Sequence, residues 1–337
     1  MKRSFFAFAA ALSFAIPSMA MAADLDPIDV FIGDFAGVVS LDFDKLITNK
    51  LVDDLITKNA GPAGGDDIIN EIKAAGLDYK KDIDTVTIAV NEKGHICAVI
   101  DGKKSLQGAL DYEAKKNNYT ASDYNGISIA TDGANSFVML SEKRLLACEK
   151  QFDVKPMIDN AKAEKPKLLK DRDATIYKSF QQSDKKAEIR FGGKMTKHLK
   201  DKSQSYKLNN AKNESIGASD IDSGSISVSL SKGLEISMIA VSKSDAAAAL
   251  GASIINENIA GILDENMLNE MGIGFVKKAI SVAADKKNVN AKIKFSEEEK
   301  AKLAALVQDL AASSMPQKPA KKAAAPAPKP AAAAAGK

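Results

Sequence analysis

Apolar residues recur along this chain at two spacings, every second position in short runs and every third or fourth in longer ones, and the two kinds alternate. Val38 to Leu41 form a β-prone run, after which Asp42 or Asp44 caps a helix whose Ile47, Leu51, Val52 and Leu55 share one side. Gly64-Gly65-Asp66 opens a second helix carrying Ile68, Ile69 and Ile72, and Gly76 closes it with Leu77 as the apolar partner. Val86, Ile88 and Val90 alternate as a strand, Asn91 to Gly94 reverses the chain, and Ile96 to Ile100 returns. Ser105 caps a helix to about Lys116, Gly126 to Thr131 pairs with Ser136 to Ser141, and Glu142 to Phe152 reads as helix.

The second half replays this order. Asp82-Ile83-Asp84-Thr85 has its counterpart in Asp220-Ile221-Asp222-Ser223, and each leads into an alternating strand, a Lys-Gly turn (Lys93-Gly94, Lys232-Gly233) and a return strand. Ser244 or Asp245 then caps an Ala-rich helix, and a second helical stretch runs around Asn266 to Lys278. Ile280 and Val282 pair with Val289 to Phe295 across Asp285 to Asn288, and Ser296 with Glu299 starts a closing helix through a capping box. The spacing predicts a duplication after about 140 to 150 residues, in an α+β fold of two similar repeats of antiparallel hairpins interleaved with helices on one face. Its divisions are a leader (1–22), a first repeat (23–154), a junction (155–173) containing Pro156 and Pro166, a second repeat (174–314) and a tail (315–337). Periodicity is weakest over 176–217.

With its Asp-Ile-Asp strand starts at Asp82 and Asp220 and its last hairpin before Ser296, most of the body resembles a class of exported bacterial proteins built from paired α+β repeats. The resemblance implies the fold and brings no assigned activity, so no site residue follows from it.

The two ends change the picture. Lys2 and Arg3 precede the apolar run Phe5 to Ile16, which is too short to span a bilayer, and Ala20-Met21-Ala22 fits a signal-peptidase site, so the mature chain begins near Ala23 in the periplasm or outside the cell. No later stretch is long and apolar enough to span a membrane. The tail MPQKPAKKAAAPAPKPAAAAAGK is Ala-, Pro- and Lys-rich and reads as disordered, a spacer or a tether through Lys318, Lys321, Lys322 and Lys329 to an anionic envelope polymer. Of the net charge of +3, the leader holds +2 and the tail +5, which leaves the body near −4 and argues against a nucleic-acid surface.

Candidate chemistry is sparse. Cys97 and Cys148 are the only thiols, and in an oxidising compartment they either bridge or sit as two buried thiols. His95 and His198, the only histidines, read as surface residues, although His95 and Cys97 share strand parity. Asp220 to Ser231 opens like a calcium loop and ends on Ser where that loop needs Glu. Gly192-Gly193-Lys194 and Gly272-Ile273-Gly274 lack the glycines of phosphate loops, and Asn118-Tyr119-Thr120 and Asn213-Glu214-Ser215 are chance-level glycan triplets. The sequence therefore reads as a non-catalytic envelope protein, without cofactor, that binds or scaffolds an envelope polymer or another envelope protein. The alternative is a carrier holding an apolar or amphiphilic ligand between sheet and the Ala-rich helix (Ala246 to Leu263), with a hydrolase built on scattered carboxylates as a third class.

Overall fold

The two hairpins that open the repeated order each begin where a carboxylate ends the element before it. In the computed structural model, which describes residues 25–49, 52, 73–203, 207–262, 265–270, 272–303 and 305, the Asp82 carboxylate accepts the Asp78 N–H and the Asp220 carboxylate accepts the Gly217 N–H. Asp82 ends a one-turn helix α3 (Tyr79–Asp82) and Asp220 a 3-10 turn (Ala218–Asp220). Strands β2 (Ile83–Val90) and β11 (Ile221–Ser229) follow, paired with β3 (Ile96–Gly102) and β12 (Leu234–Ser242). Both pairings step over one residue at the same place, Asp84 and Asp222, a shared bulge. The leader, residues 64–72 of the helix expected to open at Gly64, and the lysine-bearing tail lie outside the described residues; that helix ends at Gly76, φ +76, whose N–H bonds Lys73 O at 2.9 Å.

Apart from a separate short pair, β9 (Lys207–Asn209) and β10 (Ser215–Gly217), the remaining described strands complete one antiparallel sheet. They are β1 (Gly37–Asp42), β4 (Thr120–Tyr124), β5 (Ile127–Thr131), β6 (Asn135–Ser141), β7 (Arg144–Glu149), β8 (Ile189–Lys194), β13 (Ile280–Asp285) and β14 (Asn288–Phe295). The sheet has twelve strands in the order β13-β14-β12-β11-β8-β1-β2-β3-β7-β6-β5-β4. Read outward from its centre, β1-β2-β3-β7-β6 on one side matches β8-β11-β12-β14-β13 on the other. The backbone hydrogen bonds repeat as well: Gly102 N–H to Lys143 O (2.8 Å) matches Ser242 N–H to Lys287 O (2.7 Å), and Lys103 N–H to Asp82 O (2.8 Å) matches Lys243 N–H to Asp220 O (2.9 Å). Asp42 N–H to Glu188 O (2.8 Å) and Lys194 N–H to Ala36 O (2.9 Å) are mates across the seam. A pseudo-twofold thus runs through the pair Val39 and Phe191, which registers β1 against β8. Both halves belong to one sheet.

Helices cover the sheet unequally. Over the first half, α1 (Pro27–Val30), α5 (Lys155–Lys162), α6 (Leu169–Arg172) and α7 (Ala174–Gln182) bury one face, with Phe31, Val38, Val99, Leu146, Met157, Ile158 and Ile176 in the core. The opposite face takes α4 (Gln107–Asn117), whose Ala109, Leu110 and Ala114 meet Ile100, Phe137 and Leu145. α2 (Phe43–Thr48) sits beside it, capped by the Asp42 side chain on the Lys45 N–H. The mate of α4 is α9 (Asp245–Ile262), begun by Ser244 and laid on Ala240, Val282 and Val289. Helices on one face only is therefore corrected to helices on both faces of the first half.

Two local expectations also change. Glu142 to Phe152 is not helix: Arg144 to Glu149 is the strand β7, held between β3 and β6, because its apolar run Leu145-Leu146-Ala147-Cys148 is buried on both faces. The helical stretch from Asn266 divides into α10 (Glu265–Glu270) and α11 (Phe275–Ala279) around Gly272, which adopts φ +71. Residues 155–173 carry α5 and α6 with Met157, Ile158 and Leu169 fully packed. The closing helix (297–303) has its capping box, Glu299 N–H to Ser296 Oγ at 3.2 Å and Ser296 N–H to Glu299 Oε2 at 2.8 Å.

Candidate functional site

Strand register assembles a surface that no local spacing announces. Cross-strand partners run Ala147, Ala98, Ile88, Val39, Phe191, Ile226, Met238, Ala291 and Val282, a continuous apolar row over nine strands with the pseudo-twofold at its middle. A second row beside it, Leu145, Ile100, Val86, Leu41, Ile189, Val228, Ile236 and Ile293, is apolar throughout. At the first-half end α4 buries this face, with Leu145 inaccessible. At the centre the cover stops: Ile226 is 39% exposed, and Val39, Ile88, Phe191, Val228 and Met238 are each only partly buried. Phe191 lies across Gly37 and Gly193, where a Cβ would stand 2.8 and 2.7 Å from its ring. The reverse face of the second half is polar, with Ser237, Lys292 and Lys294 beside Glu235, whose carboxyl the Lys292 hydrogen bond holds below its ordinary range.

A small cleft of about 320 Å³ lies beside the second row, where Leu230 follows Val228 by two residues. Lys45, Thr48 and Asn49 of α2 line it opposite Leu230, Ser231, Glu297 and Lys300. Asn49 Nδ2 donates to Leu230 O at 2.9 Å, and Lys300 pairs with Glu297 at 2.8 Å. Underneath, the buried Glu188 accepts the Leu230 N–H at 2.9 Å. Burial opposes its ionisation, yet the bonds from Leu230 N–H and the Ser229 and Ser231 hydroxyls outweigh it and hold its pKa below the ordinary value. A depressed carboxyl contributes stability that is present above its unfolded pKa and lost as pH falls through the folded one. Glu188→Gln is therefore expected to have a flatter melting temperature against pH than the native chain below about pH 5. Thermal melts from pH 6 to 3 check this; parallel curves contradict it.

The residues singled out by sequence fall into structural roles. Cys97 and Cys148 face each other on β3 and β7 and are joined as a disulfide, with the Met157 sulfur against them at 3.7 and 3.9 Å. The bridge leaves no thiol at Cys97 for a Cys–His pair, and His95 Nδ1 instead meets Glu149 Oε2 at 2.7 Å. His198 lies on α8 (Lys197–Lys202). Asp222 occupies the bulge and pairs with Lys200, while Gly192 and Gly193 lie within β8. Asn118 and Asn213 occupy left-handed turns. Among the described residues, no group of three or more His, Cys, Asp or Glu is placed to hold a metal ion. No helix among them is long and apolar enough to cross a membrane.

Sequence reading missed the buried polar clasps. Arg172 donates to the carbonyls of Phe31, Asp29 (2.9 Å) and Lys167 (3.0 Å), tying the first described residues to α6. Burial pushes the Asp29 carboxyl up and the Arg172 guanidinium down. Arg144 grips Asp101 through Nε (2.5 Å) and Nη2 (3.1 Å) and reaches Leu25 O at 2.6 Å. Only the isolated charges in otherwise apolar runs could have marked them. The space expected between sheet and α9 is closed: small side chains let the helix descend, and a Cβ on Gly251 would lie 2.8 Å from Ile216 and 3.4 Å from Val289.

No protein-family model matches the chain, and no curated protein matches its sequence. Among solved structures, three crystal forms of TP0453 are similar. Form I gives a TM-score of 0.43 at 10% identity, covering 86% of this chain and 98% of that one. Form III gives 0.45 at 9%, covering 85% and 99%, and form IV 0.46 at 11%, covering 85% and 97%.

Proposed function

We propose that this is an exported, non-catalytic protein of the bacterial-type cell envelope that binds a partner through the apolar face of its duplicated sheet. The observation that carries the reading is the row centred on Val39 and Phe191, whose member Ile226, next to Phe191, is 39% exposed. Contiguous exposed apolar surface is costly in water and marks interaction sites. Export is supported by the positively started leader with its Ala20-Met21-Ala22 site and by the buried Cys97–Cys148 bridge, a bond that persists in oxidising compartments. The buried Glu188, Arg144 and Asp29 and the half-buried Arg172 are engaged in holding elements together, and the buried Glu113 accepts from Asn117, which favours binding over catalysis. Lys318, Lys321, Lys322 and Lys329 supply a screened, salt-sensitive attraction to an anionic envelope polymer. The carrier reading moves from beneath α9 to the open floor, where the apolar surface lies.

Protein purified from its own envelope fraction is expected to begin at Ala23, to lack both thiol hydrogens, and to be retained on anionic polysaccharide only at low salt. Deleting 315–337 should abolish that retention. An intact chain beginning at Met1 among cytoplasmic proteins contradicts export, and salt-insensitive retention without the tail contradicts the tether.

A further inference from the structure

We infer that the open floor of the sheet holds the hydrocarbon chain of a zwitterionic phospholipid, with its head in the cleft beside Leu230. The inference rests on the reading of this face as the binding surface and names its occupant.

Three observations select that chemistry. The floor presents Ile88, Val39, Phe191, Ile226, Val228 and Met238 without a polar side chain among them, so it recognises a ligand by apolar area and offers no hydrogen bond. Five strands, β12 to β2, make it roughly 19 Å across at about 4.8 Å per strand. Its ends are walled by α4 over β3 and β7 and by α9 over β14 and β13, each wall a helix about 10 Å thick. A second flat sheet cannot descend between such walls, whereas a thin flexible chain can.

The head position follows from where β11 ends. Leu230 lies two residues beyond Val228, four beyond Ile226, and lines the cleft. There Lys45 is paired with Asp42, and Lys300 with Glu297 at 2.8 Å, while Thr48, Asn49 and Ser231 add hydrogen-bonding groups. Both signs of charge are present and balanced in pairs. A head carrying a phosphate and an ammonium can exchange into those pairs without leaving either charge alone, which a fatty acid cannot do.

The test uses the delipidated mature chain and lysophosphatidylethanolamine below its micelle concentration, followed by calorimetry, with palmitate as the second ligand. Saturable one-to-one binding of the phospholipid is expected, at least tenfold weaker for Ile226→Asp, with an unchanged melt, and unaffected by Leu208→Asp, a 50% exposed residue on the separate β9–β10 hairpin. A photoactivatable acyl probe should label peptides containing Ile226 or Met238, a readout independent of any variant. Equal binding of palmitate overturns the head assignment. Labelling elsewhere, or equal affinity of Ile226→Asp, overturns the occupant. If the native chain binds no lipid but Ile226→Asp converts a dimer to a monomer in light scattering, the lipid is wrong and the face remains a binding surface. If neither lipid binding nor assembly responds to Ile226→Asp, both readings fall.

Discussion

Gly192→Ala is expected to destabilise this protein strongly. Gly192 lies in β8 under α7, and a Cβ there would stand 2.3 Å from the Phe180 backbone nitrogen and 2.4 Å from its Cα. Neither atom is the end of a flexible side chain, so the helix itself must lift. Lifting it exposes Ile176 and Phe180, now 1% and 3% accessible, and removes Phe180 from the Arg190 guanidinium stacked 4.2 Å from its centroid. Overpacking of this kind costs about 3 kcal/mol or more. The control is Gly108→Ala in α4, where nothing lies within 4 Å and the exchange should stabilise by about 0.5–1 kcal/mol. Urea denaturation of both variants reads the difference, and equal midpoints contradict the packing of α7 on β8.

The second large effect belongs to the bridge. Cys97 and Cys148 are separated by 51 positions, and cross-linking a loop of that size removes denatured-state entropy worth on the order of 4 kcal/mol. The bridge also pins β3 to β7, the register on which the first half's outer strands depend. The double variant Cys97→Ala/Cys148→Ala is therefore expected to melt about 10 °C lower than the oxidised protein. Reductant should lower the melt of the native chain and leave the double variant unchanged. A native melt indifferent to reductant contradicts a bridged pair.

Much of the local fold was legible because its signals are short-range. The Asp-Ile-Asp starts, the Lys-Gly turns and the Ser296 capping box each act within a few residues, and each forms as the spacing predicts. The helix at Ser105 begins slightly later, at Gln107, with Ser105 Oγ accepting the Gln107 N–H at 3.3 Å. β7 was misread because a short continuous apolar run fits a buried strand and a buried helix alike; only its partners on both sides decide. β8 was hidden because Gly192 and Gly193 take the places of apolar residues, and the sheet needs them small for Phe180 and Phe191.

The candidate surface was less legible still. Val39, Ile88, Phe191, Ile226 and Met238 each sit in an ordinary alternating strand. They become one surface only through pairings such as β1 with β8, whose members are separated by some 150 residues. Duplication was readable from repeated words, but the way the copies join depends on non-local registry, which periodicity does not carry.

That joining can be read directly from amide exchange at the seam. Asp42 N–H bonds Glu188 O and Lys194 N–H bonds Ala36 O, so both amides are held only while β1 and β8 remain paired. In native-state hydrogen exchange followed by NMR, a single duplicated sheet requires these two amides to exchange together with the slowest amides of β2 and β11, at one common free energy of opening. Rapid exchange of Asp42 and Lys194, with β2 and β11 opening at separate free energies, would show two independent halves and contradict the account.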